Sequence, residues 1–281
     1  MKPFFTKLGL LVACATLVSG CSVVNRIRAK NEINEGARAY RERKYAEAQQ
    51  HFERALELDP NQKNAQFFAA RAIHAQYKPG VETPENIAKA KEAIEAYKKV
   101  LGQDPNNDEA YNAVAYLYGA IKQDEAQQQW ITQRANLETL SPEKRAEAYT
   151  VLASKQWQCS YTITEQQENK QTVSKDGKAV IQYKKPKDPA DFERAQQCVA
   201  KGLELINKAI ELNPKSESAW AYKTNLLLEM VKLAEMEGNA EKRAQYDKQY
   251  QEAQAMTLKL NEEARRRREA EAKKSPAQKA S

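Results

Sequence analysis

Gly36-Ala37-Arg38-Ala39-Tyr40, then Tyr45-Ala46-Glu47-Ala48, then Phe52-Glu53-Arg54-Ala55-Leu56-Glu57-Leu58-Asp59-Pro60 is the stretch that decides the fold. Small residues at 36, 48 and 55 are interleaved with a large one at 52. Ala48 and Phe52 stand four apart, on one helix face, where the small residue admits a neighbouring helix and the large one fills the gap beside it. Pro60 cannot continue a helix, and Asp59 before it adopts turn geometry readily. The segment therefore reads as two helices folded back on each other and closed by a turn.

The same spacing recurs outward from this point. First helices read as Tyr111-x2-Val114-Ala115-x2-Tyr118, and more loosely as Tyr149-x2-Leu152-Ala153-x2-Gln156 and Trp220-x2-Lys223-Thr224-x2-Leu227; Gln66-x2-Ala69-Ala70-x2-Ile73 keeps only the small and large pattern. Second helices read as Ala93-x3-Tyr97, Ala126-x3-Trp130 and Gly202-x3-Ile206, and further turns fall at Asp104-Pro105 and Asn213-Pro214. Together these residues resemble the tetratricopeptide repeat. The resemblance implies an all-α, right-handed helical-hairpin solenoid of about five hairpins, at 29–60, 63–105, 108–139, 142–214 and 217–263. Extra residues around Tyr77–Pro84 predict a loop. A larger insert at about 160–184 predicts a β-hairpin, with strands at Tyr161–Thr164 and Val180–Tyr183 and a turn at Lys175-Asp176-Gly177-Lys178.

The N-terminus reads as an address rather than as fold. Lys2 and Lys7 precede an uncharged, mostly apolar run from Leu8 to Val18, about half of the ~20 residues that span a bilayer. Leu17-Val18-Ser19-Gly20-Cys21 resembles a bacterial lipobox, which implies cleavage before Cys21 and lipidation of its thiol. Ser22, not Asp, follows the cysteine and favours the outer membrane, facing the periplasm; the alternative is an ordinary secretory signal. The division is then a signal peptide at 1–20, a short lipid-anchored linker at 21–28, the repeat body at 29–263 and a basic disordered tail at 264–281.

The charge is uneven. The formal +7 resides in the leader and in the tail, where Arg265-Arg266-Arg267-Arg268 is the longest basic run. A neutral body argues against a nucleic-acid-binding face, which needs basic residues spread along the docking surface. The arginine run reads either as a solvated helix end or as a contact for anionic lipid headgroups or an acidic partner. In an exported protein Cys159 and Cys198 are expected to pair, because antiparallel helices bring them together; buried reduced thiols are the alternative. His51 and His74 read as packing or surface residues. No hydrolase, nucleotide-binding or metalloprotease motif is present, so no enzymatic activity, cofactor or metal is expected.

The resemblance implies a membrane-anchored scaffold that binds a partner protein or peptide in a concave groove; a self-associating structural lipoprotein of the envelope is the alternative. First helices line that groove in the family. Carried onto this chain, this selects Phe67, Arg71, Asn112, Tyr116, Trp157 and Asn225.

Overall fold

The helices follow one another as five pairs: α1 (Phe4–Arg41) with α2 (Tyr45–Leu58), α3 (Lys63–His74) with α4 (Pro84–Gln103), α5 (Asp108–Ala120) with α6 (Asp124–Asn136), α7 (Pro142–Thr164) with α8 (Pro189–Leu212), and α9 (Glu217–Glu237) with α10 (Ala240–Gln278). This computed structural model describes residues 4–278, with side chains described outside 4–21, 63 and 273–278. Strands β1 (Lys170–Lys175) and β2 (Lys178–Tyr183) form an antiparallel hairpin between α7 and α8. The chain divides into two compact units, 1–127 and 128–281.

Two kinds of turn, each repeated three times, explain the regularity. Within pairs, the turns that follow α1, α5 and α9 each contain a left-handed residue, Arg43, Lys122 or Gly238. There the next amide reaches back across the turn, from Lys44 to Ala39 O, Gln123 to Tyr118 O and Asn239 to Ala234 O, so the last carbonyls of the helix are satisfied. Between pairs, Asp59, Asp104 and Asn213 each accept, on their own side chain, the amide two residues on, at 3.2–3.3 Å. The proline between them stops the helix while this side chain folds the turn.

The first unit packs small residues against large ones. Ala48 and Ala55 are fully buried, and Phe52 lies against Ala39, Ala69 and Ala72. A β-carbon on Gly36 would stand 2.7 Å from the Phe52 ring, so α1 and α2 meet at this distance only because residue 36 is glycine. In the second unit, Leu152, Val199, Ile206 and Leu226 centre a core that α7, α8 and α9 share.

Three expectations are corrected. Residues 21–28 are not a separate linker; they continue α1, since the stretch contains no glycine or proline to stop the helix. Tyr161–Thr164 is not a strand but the last turn of α7, and the first strand begins at Lys170. Tertiary contacts override its β propensity: Ser160 and Thr164 both bond the buried Glu229 carboxylate, and Tyr161 packs on Trp157 one turn back. The tail is not disordered up to 278, because α10 runs to Gln278. Its alanines, glutamates and arginines are strong helix formers, and Arg265 and Arg266 pair with Glu262 and Glu269 at helical spacing.

Candidate functional site

A cleft of about 350 Å³ opens on the first unit, lined by Tyr40, Phe67, Arg71, His74, Ala75, Tyr97, Glu109 and Ala113. Arg71 organises it. Its guanidinium lies 5.7 Å from the centre of the Tyr40 ring on α1 and 5.8 Å from that of Phe67 on its own helix. A second hollow, of about 230 Å³, shares Tyr40 and Arg71 and adds Arg41, Phe52 and Phe68. Arginine stacks on aromatic faces while its planar edge keeps donors for a carbonyl or a carboxylate.

The floor is rigid. Tyr97 on α4 is buried, its ring edge-on to His74 at 5.8 Å, with His74 Nδ1 3.3 Å from the Tyr97 hydroxyl. Burial, and secondly the Arg71 charge, hold His74 below its ordinary value, so it is neutral at pH 7. Burial pushes the Tyr97 phenol up, and it stays protonated. Tyr116 is half exposed on α5 and reaches the other side of His74, with ring centres 5.9 Å apart.

Phe67, Arg71 and Tyr116 therefore gather around His74 in one unit. Asn112 is exposed one turn before Tyr116, but α5 lines the cleft with Glu109 and Ala113 instead. Trp157 and Asn225 belong to the second unit. Trp157 packs between Tyr161 and Tyr222 at 5.0 and 5.9 Å and serves the core there; Asn225 is partly buried on α9. The sequence reading missed Tyr40, His74, Tyr97 and Glu109. Tyr40, one turn after Gly36, has no role in that reading, Tyr97 reads as the large packing residue of its repeat, and His74 as a packing or surface residue.

In the second unit a disulfide joins Cys159 on α7 to Cys198 on α8. Beyond it, a buried polar network holds the foot of the β-hairpin. Lys232 donates to Glu165 and Glu229 at 2.7 and 2.6 Å, and Tyr183 Oη donates to Glu165 at 2.9 Å. The arginine run is engaged within the molecule: Arg267 and Arg268 reach Glu217 at the start of α9, at 3.3 and 3.5 Å. The lipidation reading at Cys21 and the signal-peptide reading at 1–20 concern side chains outside the described residues. Among the described residues no cluster of histidine, cysteine, aspartate and glutamate could hold a metal, and no helix is long and apolar enough to cross a membrane.

The tetratricopeptide repeat family matches residues 30–62, and the protein prenyltransferase alpha subunit repeat matches residues 199–230. No curated protein matches the chain. Among solved structures, the chain is similar to a double mutant of MamA from RS-1, at 16% identity over 84% of this chain and 96% of that one, with a TM-score of 0.41. It is similar to PilF of Pseudomonas aeruginosa at 18% identity, over 82% and 98% of the two chains, with a TM-score of 0.37. YrrB, described as a tetratricopeptide protein with an unusual peptide-binding site, follows at 14% identity, over 82% and 90%, with a TM-score of 0.36. With small and large residues packed at the repeat's spacing and the family matched over 30–62, this chain carries a tetratricopeptide repeat within a succession of helical hairpins.

Proposed function

We propose that this chain is a lipid-anchored interaction scaffold of a bacterial envelope, which holds a partner protein or peptide in the aromatic cleft of its first unit. One observation carries the reading: the Arg71 guanidinium is stacked on Tyr40 and Phe67 and has no carboxylate partner among the described residues. Its donors are held in place before a ligand arrives, so little ordering entropy is lost on binding. Flat rings beside it supply rigid contact area, and arginine with aromatics is the composition that dominates interface energetics.

The lipobox ending at Cys21 supports the anchor, and Ser22 supports the outer membrane, facing the periplasm. Because α1 continues through 21–28, Tyr40 would stand about 28 Å along the helix from the lipidated cysteine, at 1.5 Å per residue.

The test is to crosslink the acylated protein in its native membrane, identify the dominant partner, and measure binding of that partner by purified variants. Arg71→Ala and Tyr40→Ala should each weaken binding at least tenfold, with helicity unchanged. Normal binding by both variants, or recovery of homo-oligomers alone, overturns the scaffold reading. Cys21→Ser should abolish labelling by fatty acid; a serine variant that still acquires acyl mass overturns the anchor.

A further inference from the structure

We propose that the outer edge of β2 is a second binding site, which takes an extended acidic segment of a partner as a third strand. The inference is independent of the aromatic cleft and starts from the register of the hairpin. Lys175 pairs with Lys178 across a two-residue turn, where Asp176 and Gly177 both have positive φ. The pairs that exchange hydrogen bonds then alternate up the ladder from this one, through Val173–Val180 and Gln171–Gln182. Two further bonds fix the parity. Lys184 donates inward to Asn169 O at 2.8 Å, and Tyr183 donates outward to Glu235 Oε1 at 3.4 Å.

Ala179 and Ile181 must therefore turn their amides and carbonyls away from β1. A cleft of about 410 Å³ lies between the hairpin and the turn from α9 into α10, with Val173 and Lys175 of β1 and Val180, Ile181 and Gln182 of β2 on one wall and Ala234, Glu235, Asn239 and Arg243 on the other. Tyr183 shows what the edge accepts: its outward amide is already taken by a carboxylate. Ile181, 56% exposed, offers apolar contact beside the unpaired backbone groups. An added strand pairs with such an edge through main-chain hydrogen bonds, while its alternate side chains are read by the surroundings.

Charge selects the occupant. From 170 to 187 the hairpin and its exit carry six lysines and one acidic residue, Asp176. Lys170 is held by Glu165, and Lys185 lies over the Phe192 ring. Lys175, Lys178, Lys184 and Lys187 have no carboxylate partner among the described residues. The acidic residue on the cleft wall, Glu235, already accepts the Tyr183 amide and lies 3.6 Å from Arg243. A second copy of this hairpin would bring lysine against lysine, the arrangement by which natural edges resist self-pairing. An extended segment carrying glutamate or aspartate would neutralise them.

The probe is an acetylated, amidated (Glu-Val)4 peptide added to the full chain, with (Lys-Val)4 and (Glu-Pro)4 peptides as controls for charge and for strand geometry. We expect the first to bind at least tenfold more tightly than either control, and to slow hydrogen exchange at the amides of Ala179 and Ile181. Ile181→Pro removes one outward amide without removing a bond between β1 and β2, and should reduce binding at least tenfold. Should that variant lose the hairpin, as seen from fast exchange at Val173 and Val180, the doubly reversed Lys175→Glu, Lys178→Glu chain decides, and it too should bind at least tenfold more weakly. Equal binding of (Glu-Pro)4, unslowed exchange at Ala179 and Ile181, unchanged binding by the deciding variant, or pairing of two copies through this edge overturns the proposal. Arg71→Ala should leave this binding unchanged; loss of binding in that variant would place the peptide in the other cleft and overturn it as well.

Discussion

Lys232 Nζ lies 2.7 Å from Glu165 Oε1, so one ammonium ties the end of α7 to the interior of α9 beneath the β-hairpin. The same ammonium is 2.6 Å from Glu229, a carboxylate with 1% of its surface exposed that also accepts from Ser160 and Thr164. The network keeps every charge partnered at the point where the insert leaves the helical body. Lys232→Met should leave Glu229 buried without its cation and cost about 3–5 kcal/mol. Chemical denaturation of the variant, monitored by tyrosine and tryptophan fluorescence, measures it.

The network also sets a pH dependence. Burial raises Glu165, but hydrogen bonds from Lys232, Lys170 and Tyr183 outweigh it and bring the carboxyl down to about 2. Its folded value lies below its unfolded one, near 4.5, so its stabilisation is complete above pH 4.5 and is lost as pH falls towards 2. The loss should amount to about 2–3 kcal/mol, and Glu165→Gln should flatten that acid limb. For Lys232, burial is outweighed by Glu229 and Glu165, and its value rises. Its contribution is therefore present below about pH 10.5 and fades above it. Melting curves across the pH range test both limbs.

Two glycines in helices should respond in opposite directions to alanine. A β-carbon on Gly202 of α8 would stand 2.5 Å from Leu226 Cδ2 and 3.2 Å from Gln156 Cβ, between α9 and α7. Gly202→Ala should destabilise the second unit by about 1–3 kcal/mol through overpacking. Gly102, exposed near the end of α4, has no heavy atom within 4 Å of the same position. Gly102→Ala should stabilise by about 0.5 kcal/mol, the ordinary gain in helix propensity.

The bond between Cys159 and Cys198 closes a segment of 39 residues that includes the whole insert. In the chain-entropy account such a closure is worth about 4 kcal/mol. Reduction, or the Cys159→Ala, Cys198→Ala double variant, should lower the melting temperature and speed exchange across α7 and α8. Helices α1 to α4 should be little affected, because stability in repeat arrays is local. Peptide mapping of the protein without reductant should recover the two cysteines linked.

Much of the architecture was legible because packing in a repeat is local in sequence. Gly36, Ala48, Phe52 and Ala55 name their own contacts, and Asp59-Pro60, Asp104-Pro105 and Asn213-Pro214 name their turns. What lay outside that logic was read less well. Tyr161–Thr164 alternates like a strand, but its fate is decided by Glu229, a residue 65 positions from Thr164. The cleft was legible only in part. Phe67, Arg71 and Tyr116 follow from the family resemblance, in which first helices line the groove, whereas Tyr97 and His74 are partners across helices. No spacing rule distinguishes a tyrosine that fills a core from one whose edge also floors a cleft.

The C-terminal arginines supply the last prediction. Arg267 and Arg268 converge on Glu217 at the start of α9, and Arg265 and Arg266 converge on Glu262 within α10. These side chains are largely exposed, so the two contacts to Glu217 together should be worth only about 0.5–1 kcal/mol and should weaken with salt. Glu217→Gln should leave global stability nearly unchanged while speeding exchange in α10 near Arg267. If the arginine run contacts anionic lipid headgroups, one of the two readings its sequence offers, it would draw on the same guanidinium donors, and Glu217 and the headgroup would compete for them. Vesicles containing phosphatidylglycerol should accordingly bind the Glu217→Gln chain more tightly than the unaltered one, and the difference should vanish at 0.5 M salt, where the screening length is only a few ångströms (about 4 Å). Equal binding of the two chains at low salt would mean that the arginines serve the α9–α10 contact alone.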